Sequence, residues 1–286
     1  MSAPPAVPLL QVDHAAVEYG SGRRRHRVLH DVSLSVAHAR TLGLVGESGS
    51  GKSTLGRAIL GLVPLASGSI ALEGQRIDDA RGAGRRRLAS RLQAVFQDPY
   101  GSLDPRLLVG QIIAEPLRGL PPAAVRRRVH ELLDLVGLPA GAAERGPSEF
   151  SGGQRQRIAI ARAIARSPEV VVCDEPVSAL DLTTQARILD LFLLLQRELG
   201  VSYVFVSHDL DVVRHVSHDI AVLEQGRIVE HGPATEVADA PRHPYTRRLL
   251  EASPVLDVDV QRRRRAARLA QPPLVHAPDP RAGREP

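Results

Sequence analysis

The chain has 286 residues, a formal net charge of +5 and 43% hydrophobic residues, enough for a sizeable core in one large domain or two small ones. Aromatic residues make up only 3%, with no Trp, so Leu, Val, Ile and Ala must fill that core; the single cysteine, Cys173, excludes an internal disulfide or a cysteine-rich metal cluster. No apolar run approaches the ~20 residues that cross a bilayer, and Met1-Ser-Ala-Pro-Pro lacks the regions of a signal peptide, which predicts a cytoplasmic protein that meets a membrane only through partner chains.

In chain order, Leu10, Val12 and Val17 mark a strand-like segment over residues 8–19 that ends at Tyr19, with a Gly/Ser/Arg turn over 20–25. Val28 to Val36 alternates, placing Val32, Leu34 and Val36 on one face of a second strand. Thr41-Leu-Gly-Leu-Val45 reads as a buried strand and Leu55 to Leu60 as the first turns of a helix. Between them, Gly46-Glu47-Ser48-Gly49-Ser50-Gly51-Lys52-Ser53-Thr54 fits G-x-x-x-x-G-K-[ST] at every fixed position. The glycines let backbone N–H groups turn toward phosphate oxygens, and the helix start adds its positive dipole end. Lys52 is then placed for the outer phosphates and the Ser53 hydroxyl for Mg2+. Lys52 is also the only lysine in the chain, kept where a compact ammonium suits a phosphate better than a planar fork.

Further on, Ser69 to Gly74 and Leu92 to Phe96 read as short strands. From Asp98 to Pro147 the texture turns to helices and loops. Ala123 to Leu138 carries Val125, Val129, Leu132, Leu133 and Val136 at helical spacing. Ser151 is a good cap for a helix that runs to about Ala165. Strands and helices then alternate: strand Val170 to Asp174, helix Thr183 to Leu199, strand Val201 to Val206, helix Asp209 to Val216. Ile220 to Leu223 and Arg227 to Glu230 form a hairpin around Gln225-Gly226. This order calls for an α/β fold with a mainly parallel sheet and helices on both faces. The Arg/Pro-rich residues 253–286 lack periodicity and are expected to form a mobile tail. The arginine clusters at 23–25, 85–87, 126–128 and 262–265 have no aromatics interleaved for base stacking. They read as solvated faces, and no nucleic-acid partner is expected.

Several residues outside the loop carry chemistry. Asp174 ends an apolar strand where it can hold the Mg2+ shell, and Glu175 can orient or activate a water at the γ-phosphate. Gln97 supplies an amide for metal and water. Ser151-Gly152-Gly153-Gln154 presents N–H groups at a helix start, a second anion cradle separate from the first. Ser178 to Asp181 lies just past the carboxylates, and His208 follows a strand end from which it can reach a γ-phosphate. Each of these alone is a weak signal.

Together, their order and spacing resemble the ATP-binding domain of ABC transporters over roughly residues 8–252. The resemblance implies a P-loop NTPase, RecA-like core with an antiparallel β subdomain and a helical subdomain at about 98–165. It makes Gly46 to Thr54 the Walker A loop, Gln97 the Q-loop, Ser151 to Gln154 the signature and Val170 to Asp174 Walker B. Glu175 becomes the catalytic glutamate, Ser178 to Asp181 the D-loop and His208 the switch histidine, with Tyr19 stacking on adenine. Phe150 departs from the usual Leu that opens the signature. The cofactors implied are ATP and Mg2+, sandwiched between two such domains so that the second cradle serves the partner's ATP. Phe96 to Arg106 and His243-Pro-Tyr-Thr-Arg-Arg-Leu-Leu250 are similar to the oligopeptide, dipeptide and nickel importer ATPases. That resemblance implies a second ATPase chain in a heteromeric pair, two permeases, an external binding protein and a place at the cytoplasmic face of the membrane. A DNA-maintenance or ribosome-associated ATPase of the same family is the alternative. It would call for a heptad insertion or zinc module between Lys52 and Ser151, or for a second such domain in the chain. A kinase would have no use for the second cradle.

Overall fold

The computed structural model describes residues 7–20 and 22–252. Its strands are β1 (Leu10–Tyr19), β2 (His26–Val36), β3 (Thr41–Val45), β4 (Ser67–Leu72), β5 (Gln75–Arg76), β6 (Leu92–Val95), β7 (Val170–Asp174), β8 (Ser202–Ser207), β9 (Asp219–Glu224) and β10 (Arg227–Pro233). The α-helices are α1 (Lys52–Ile59), α2 (Gly82–Arg91), α3 (Pro99–Ser102), α4 (Val109–Ala114), α5 (Pro122–Leu135), α6 (Gly152–Ile164), α7 (Leu182–Leu199), α8 (Leu210–Val216), α9 (Ala234–Asp239) and α10 (Pro244–Ala252). A six-stranded sheet has the order β10-β9-β3-β8-β7-β6, and a four-stranded sheet the order β2-β1-β4-β5. Every pair from β9 to β6 is parallel, whereas β10 and the smaller sheet pair antiparallel.

Near-continuous apolar runs specify the parallel strands because both faces of the sheet are covered. The period-2 alternation then sorts their side chains between two cores. Val170 and Val172 of β7 join Val204 and Val206 of β8 in a cluster with α1 and the antiparallel sheet. Val171, Cys173, Tyr203 and Phe205 point the other way, into a cluster with α6, α7 and α8. Phe192 of α7 closes that side, its ring edge-on to Tyr203 at 5.3 Å and to Phe205 at 5.5 Å. Cys173 is buried, as a small hydrophobe would be, and burial pushes its thiol well up from the ordinary value.

Several boundaries differ from the sequence reading. β6 stops at Val95, leaving Phe96 exposed, and β8 is shifted by one residue to Ser202–Ser207. α5 ends at Leu135 rather than at 138. There Gly137 N–H donates to Asp134 O at 2.9 Å and Leu138 N–H to Leu133 O at 2.8 Å, the pair of bonds that stops a helix at a glycine. α2, α9 and α10 have no counterpart among the expected elements. The Arg85 to Arg87 run is not wholly a solvated face, because the Arg85 guanidinium donates to Leu60 O. The expected tail, residues 253–286, and the arginines at 262–265 lie outside the described residues. Among the described residues, no helix is long and apolar enough to cross a membrane.

Candidate nucleotide-binding site

The sheet order brings distant parts of the sequence to one edge. Val45 lies opposite Ser207, Asp174 opposite Val206, and Val95 opposite Cys173. The loops that leave the carboxyl ends of β3, β8, β7 and β6 therefore open side by side, where ligands bind in open α/β sheets. Those loops carry Gly46 to Gly51, His208, Glu175 and Gln97 respectively.

The phosphate loop is braced from several sides. A Cβ at Gly46 would lie 2.2 Å from Leu223 O and 2.8 Å from Ser50 Oγ, so no side chain fits there. Ser50 O accepts Gly226 N–H at 2.9 Å, and Gly226 O accepts His30 N–H at 2.8 Å, which ties the loop to the β9–β10 turn and to β2. Gly51 caps α1 with φ 107°, and no side-chain cap bond takes the first N–H groups of the helix among the described residues. Together with the buried Ser50 Oγ, which has no partner among the described residues, this is a cradle of donors fit for an anion. Lys52 is buried, and its Nζ donates to Gly46 O at 2.7 Å and Glu47 O at 2.8 Å. Burial pulls its ammonium below the ordinary lysine range, and the charges of Glu175, Asp174 and Glu47 push back.

Ser53 Oγ donates to Asp174 Oδ1 at 2.9 Å, joining the loop to the end of β7. Burial raises the Asp174 carboxyl above the usual aspartate range; the Ser53 hydrogen bond opposes this, the Glu175 charge adds to it, and Arg57 and Lys52 oppose it. A carboxylate held in that way gains from a cation. Glu175 adopts φ 48° while its N–H donates to Val206 O at 2.9 Å, so the backbone turns as it leaves the strand. His208 Nδ1 stands 3.1 Å from Glu175 Oε1.

Most of the other predicted residues lie apart from this group. Gln97 is exposed in the bend after β6, and among the described residues no hydrogen bond joins it to Ser53, Asp174 or Glu175. Tyr19 ends β1, opposite His26, with 40% of its surface exposed. Ser151 caps α6: its Oγ accepts Gln154 N–H at 3.4 Å while Gln154 Oε1 accepts Ser151 N–H at 3.0 Å. Gly153 has a packing reason as well, since a Cβ there would meet Thr184 Cγ2 at 2.4 Å. Phe150 is buried under the Arg145 guanidinium, 4.6 Å from the ring centroid, so the larger ring is accommodated. Asp181 caps α7 by accepting Thr184 N–H at 3.0 Å, and Ser178 Oγ donates to Glu175 O at 3.1 Å. Sequence reasoning gave no place at the loop to Tyr245 of α10, whose hydroxyl accepts Glu47 N–H at 2.8 Å.

A phosphate loop leading into α1 and a strand-end carboxylate touching its serine, all at the carboxyl edge of a parallel sheet, define a P-loop NTPase of RecA-like architecture. Residues 29–178 match the ABC transporter family model, and residues 229–282 match the model of the oligopeptide/dipeptide transporter C-terminal region. The chain belongs to the ABC transporter family and is one of its ATP-binding, ATP-hydrolysing cassettes. It is 54% identical to a Brucella abortus (strain 2308) protein provisionally named a peptide import ATP-binding protein, over 82% of this chain and 71% of that one. It is 47% identical to the oligopeptide transport ATP-binding protein OppF of Lactococcus lactis subsp. lactis (strain IL1403), over 83% of this chain and 76% of that one. A dimeric ATP-binding cassette solved in a post-hydrolysis state with ADP and Pi superposes with a TM-score of 0.70 at 29% identity, covering 79% of this chain and 98% of the other.

Proposed function

We propose that this cassette energises an importer of peptides or a related small solute. It would work as one of two ATPase chains, paired as a heterodimer at the cytoplasmic face of the membrane with two permeases, served by an external binding protein. The names of its relatives and the match over residues 229–282 support this reading. In this reading Lys52 and the N–H groups of residues 49–54 hold the ATP phosphates, and Tyr19 stacks on the adenine. Ser53 and Asp174, with Gln97 brought in by its loop, hold Mg2+, which when bound neutralises charge on the phosphates. Glu175 takes the proton of the attacking water, and His208, in contact with Glu175, faces the γ-phosphate. Ser151, Gly152, Gly153 and Gln154 serve the partner's ATP. Closure of the dimer follows from ATP touching both cradles only in the closed state.

The observation that carries the proposal is the pair of contacts that closes the site: Ser53, next to buried Lys52, meets Asp174 at 2.9 Å, and Glu175, next to Asp174, meets His208 at 3.1 Å. Its test is Ser151→Arg, which places a large cation at the second cradle while leaving the chain's own phosphate loop untouched. The variant chain should bind ATP as the wild type does, yet the complex purified from membranes should fail to close and turn over. Unchanged dimerisation and turnover in that complex would overturn the two-cradle reading. Co-purification with permeases tests the assembly, and ligand-induced thermal shift of the companion binding protein identifies the cargo among peptides, nickel, glutathione and other small solutes.

A further inference from the structure

The peptide unit between Gly46 and Glu47 is gripped at both ends. Its carbonyl, Gly46 O, accepts from Lys52 Nζ at 2.7 Å, and its N–H, on Glu47, donates to the Tyr245 hydroxyl at 2.8 Å. Tyr245 comes from α10, 198 residues further along, and is buried with 4% of its surface exposed. Its own placement is fixed. Glu230 on β10 accepts Arg242 N–H at 2.7 Å and His243 N–H at 3.0 Å, which holds the start of α10, and His243 Nδ1 accepts Tyr245 N–H at 3.3 Å. Arg248 lies over the Tyr245 ring at 5.8 Å and within 3.6 Å of Glu224 at the end of β9.

We infer that Tyr245 is a positioning residue for the phosphate loop, fixing the orientation of the Gly46–Glu47 peptide so that the loop is set for ATP; this rests on the loop being the ATP site. The ammonium of Lys52 has three donors and commits two of them to Gly46 O and Glu47 O. Turning toward a phosphate draws donors away from those carbonyls. The carbonyl end of the peptide then loses its grip, and the Tyr245 hydroxyl at the other end keeps the peptide from rotating. A loop held in the competent orientation binds at its intrinsic affinity, whereas one that samples other orientations binds more weakly in proportion to the competent fraction. The segment that matches the C-terminal region of oligopeptide/dipeptide transporters thus reaches the nucleotide site of its own chain.

The test is Tyr245→Phe in the full-length chain, which keeps the ring and its packing and deletes only the acceptor. ATP binding is measured by calorimetry and ATP turnover by steady-state kinetics, beside Lys52→Ala and Tyr203→Phe. Tyr203 also carries a buried hydroxyl, without a partner among the described residues and away from the loop. Tyr245→Phe should raise the ATP Kd and KM roughly 3- to 10-fold, the range that one neutral hydrogen bond carries, with kcat at saturating ATP held within about twofold. Tyr203→Phe should leave Kd unchanged. An unchanged Kd in Tyr245→Phe, while wild type binds and Lys52→Ala does not, overturns the inference and leaves the ATP site standing. A lower melting temperature in Tyr245→Phe with KM unmoved assigns the hydroxyl to fold stability alone and overturns it too. Failure of the wild type to bind ATP overturns both.

Discussion

Replacing Glu175 by Gln removes one carboxylate oxygen's basicity and almost nothing else. The side chain keeps its length, the backbone keeps its turn at φ 48°, and the Glu175 N–H bond to Val206 O at 2.9 Å does not involve the carboxylate. The amide can still meet His208 Nδ1 across the present 3.1 Å. Electrostatically, the change removes one of the influences that raise the Asp174 carboxyl, and one of those that hold the Lys52 ammonium up. Both effects lower a pKa and so shift the site toward negative charge, opposing the loss of the Glu175 charge itself, so ATP binding should be retained. Loss of the proton acceptor should slow hydrolysis by about 10²–10⁴-fold, or roughly 2.7–5.5 kcal/mol of barrier at 1.36 kcal/mol per decade. Single-turnover hydrolysis of bound ATP, with binding measured in parallel, separates the two quantities. Hydrolysis at more than about a tenth of the wild-type rate, with ATP bound, would refute the assignment of Glu175 as base.

Asp174→Asn should raise the melting temperature of the ATP-free chain at pH 8 while abolishing Mg2+-dependent turnover. Because the folded carboxyl titrates above its ordinary value of 3.8, the folded state loses stability as pH rises through that interval and stays penalised above it; equal melting of variant and wild type at pH 8 would contradict this. His218 accepts Thr41 N–H at 3.1 Å, and burial, then Arg40, lower its pKa from 6.5. The unfolded chain therefore takes up that proton first as pH falls below about 6.5, so stability measured by urea titration should drop from pH 7.5 to 5.5 in the wild type and drop less in His218→Gln. Gly153→Val should cost about 1–3 kcal/mol by overpacking against Thr184, seen as a lower urea midpoint with unchanged slope; an unchanged midpoint would mean that α7 yields freely there.

The phosphate loop was legible because everything it needs is local: a buried strand, the glycines, the lysine and a helix within twenty residues. The parallel strands were legible for a related reason, since a run such as Val170 to Cys173 fits only a sheet covered on both faces. α2 was not, because its Gly82, Gly84 and arginines give no apolar face; it is held instead by distant partners, Arg85 to Leu60 O and Arg91 to Glu169 at 2.5 Å. α9 and α10 are too short for a period to emerge. Tyr245 at the loop was invisible for the deepest reason: nothing in His243 to Leu250 indicates a hydrogen bond to a backbone nitrogen almost two hundred positions earlier. In sequence Gly153 speaks only for anion binding; its packing against Thr184 emerges only with α7 in place.

The position of β3 between β8 and β9 bears on how the chain comes into being. β3, at Thr41–Val45, has neither lateral partner until Ser202–Ser207 and Asp219–Glu224 have been made. The five buried residues of β3 must wait unpaired while the segment up to β8 is made, and the closing contacts are of long sequence separation, which makes them slow to form. The lysine and glycines of the loop thus come together with the rest of the site only when β8 and β9, made much later, slot in on both sides of the strand that carries them.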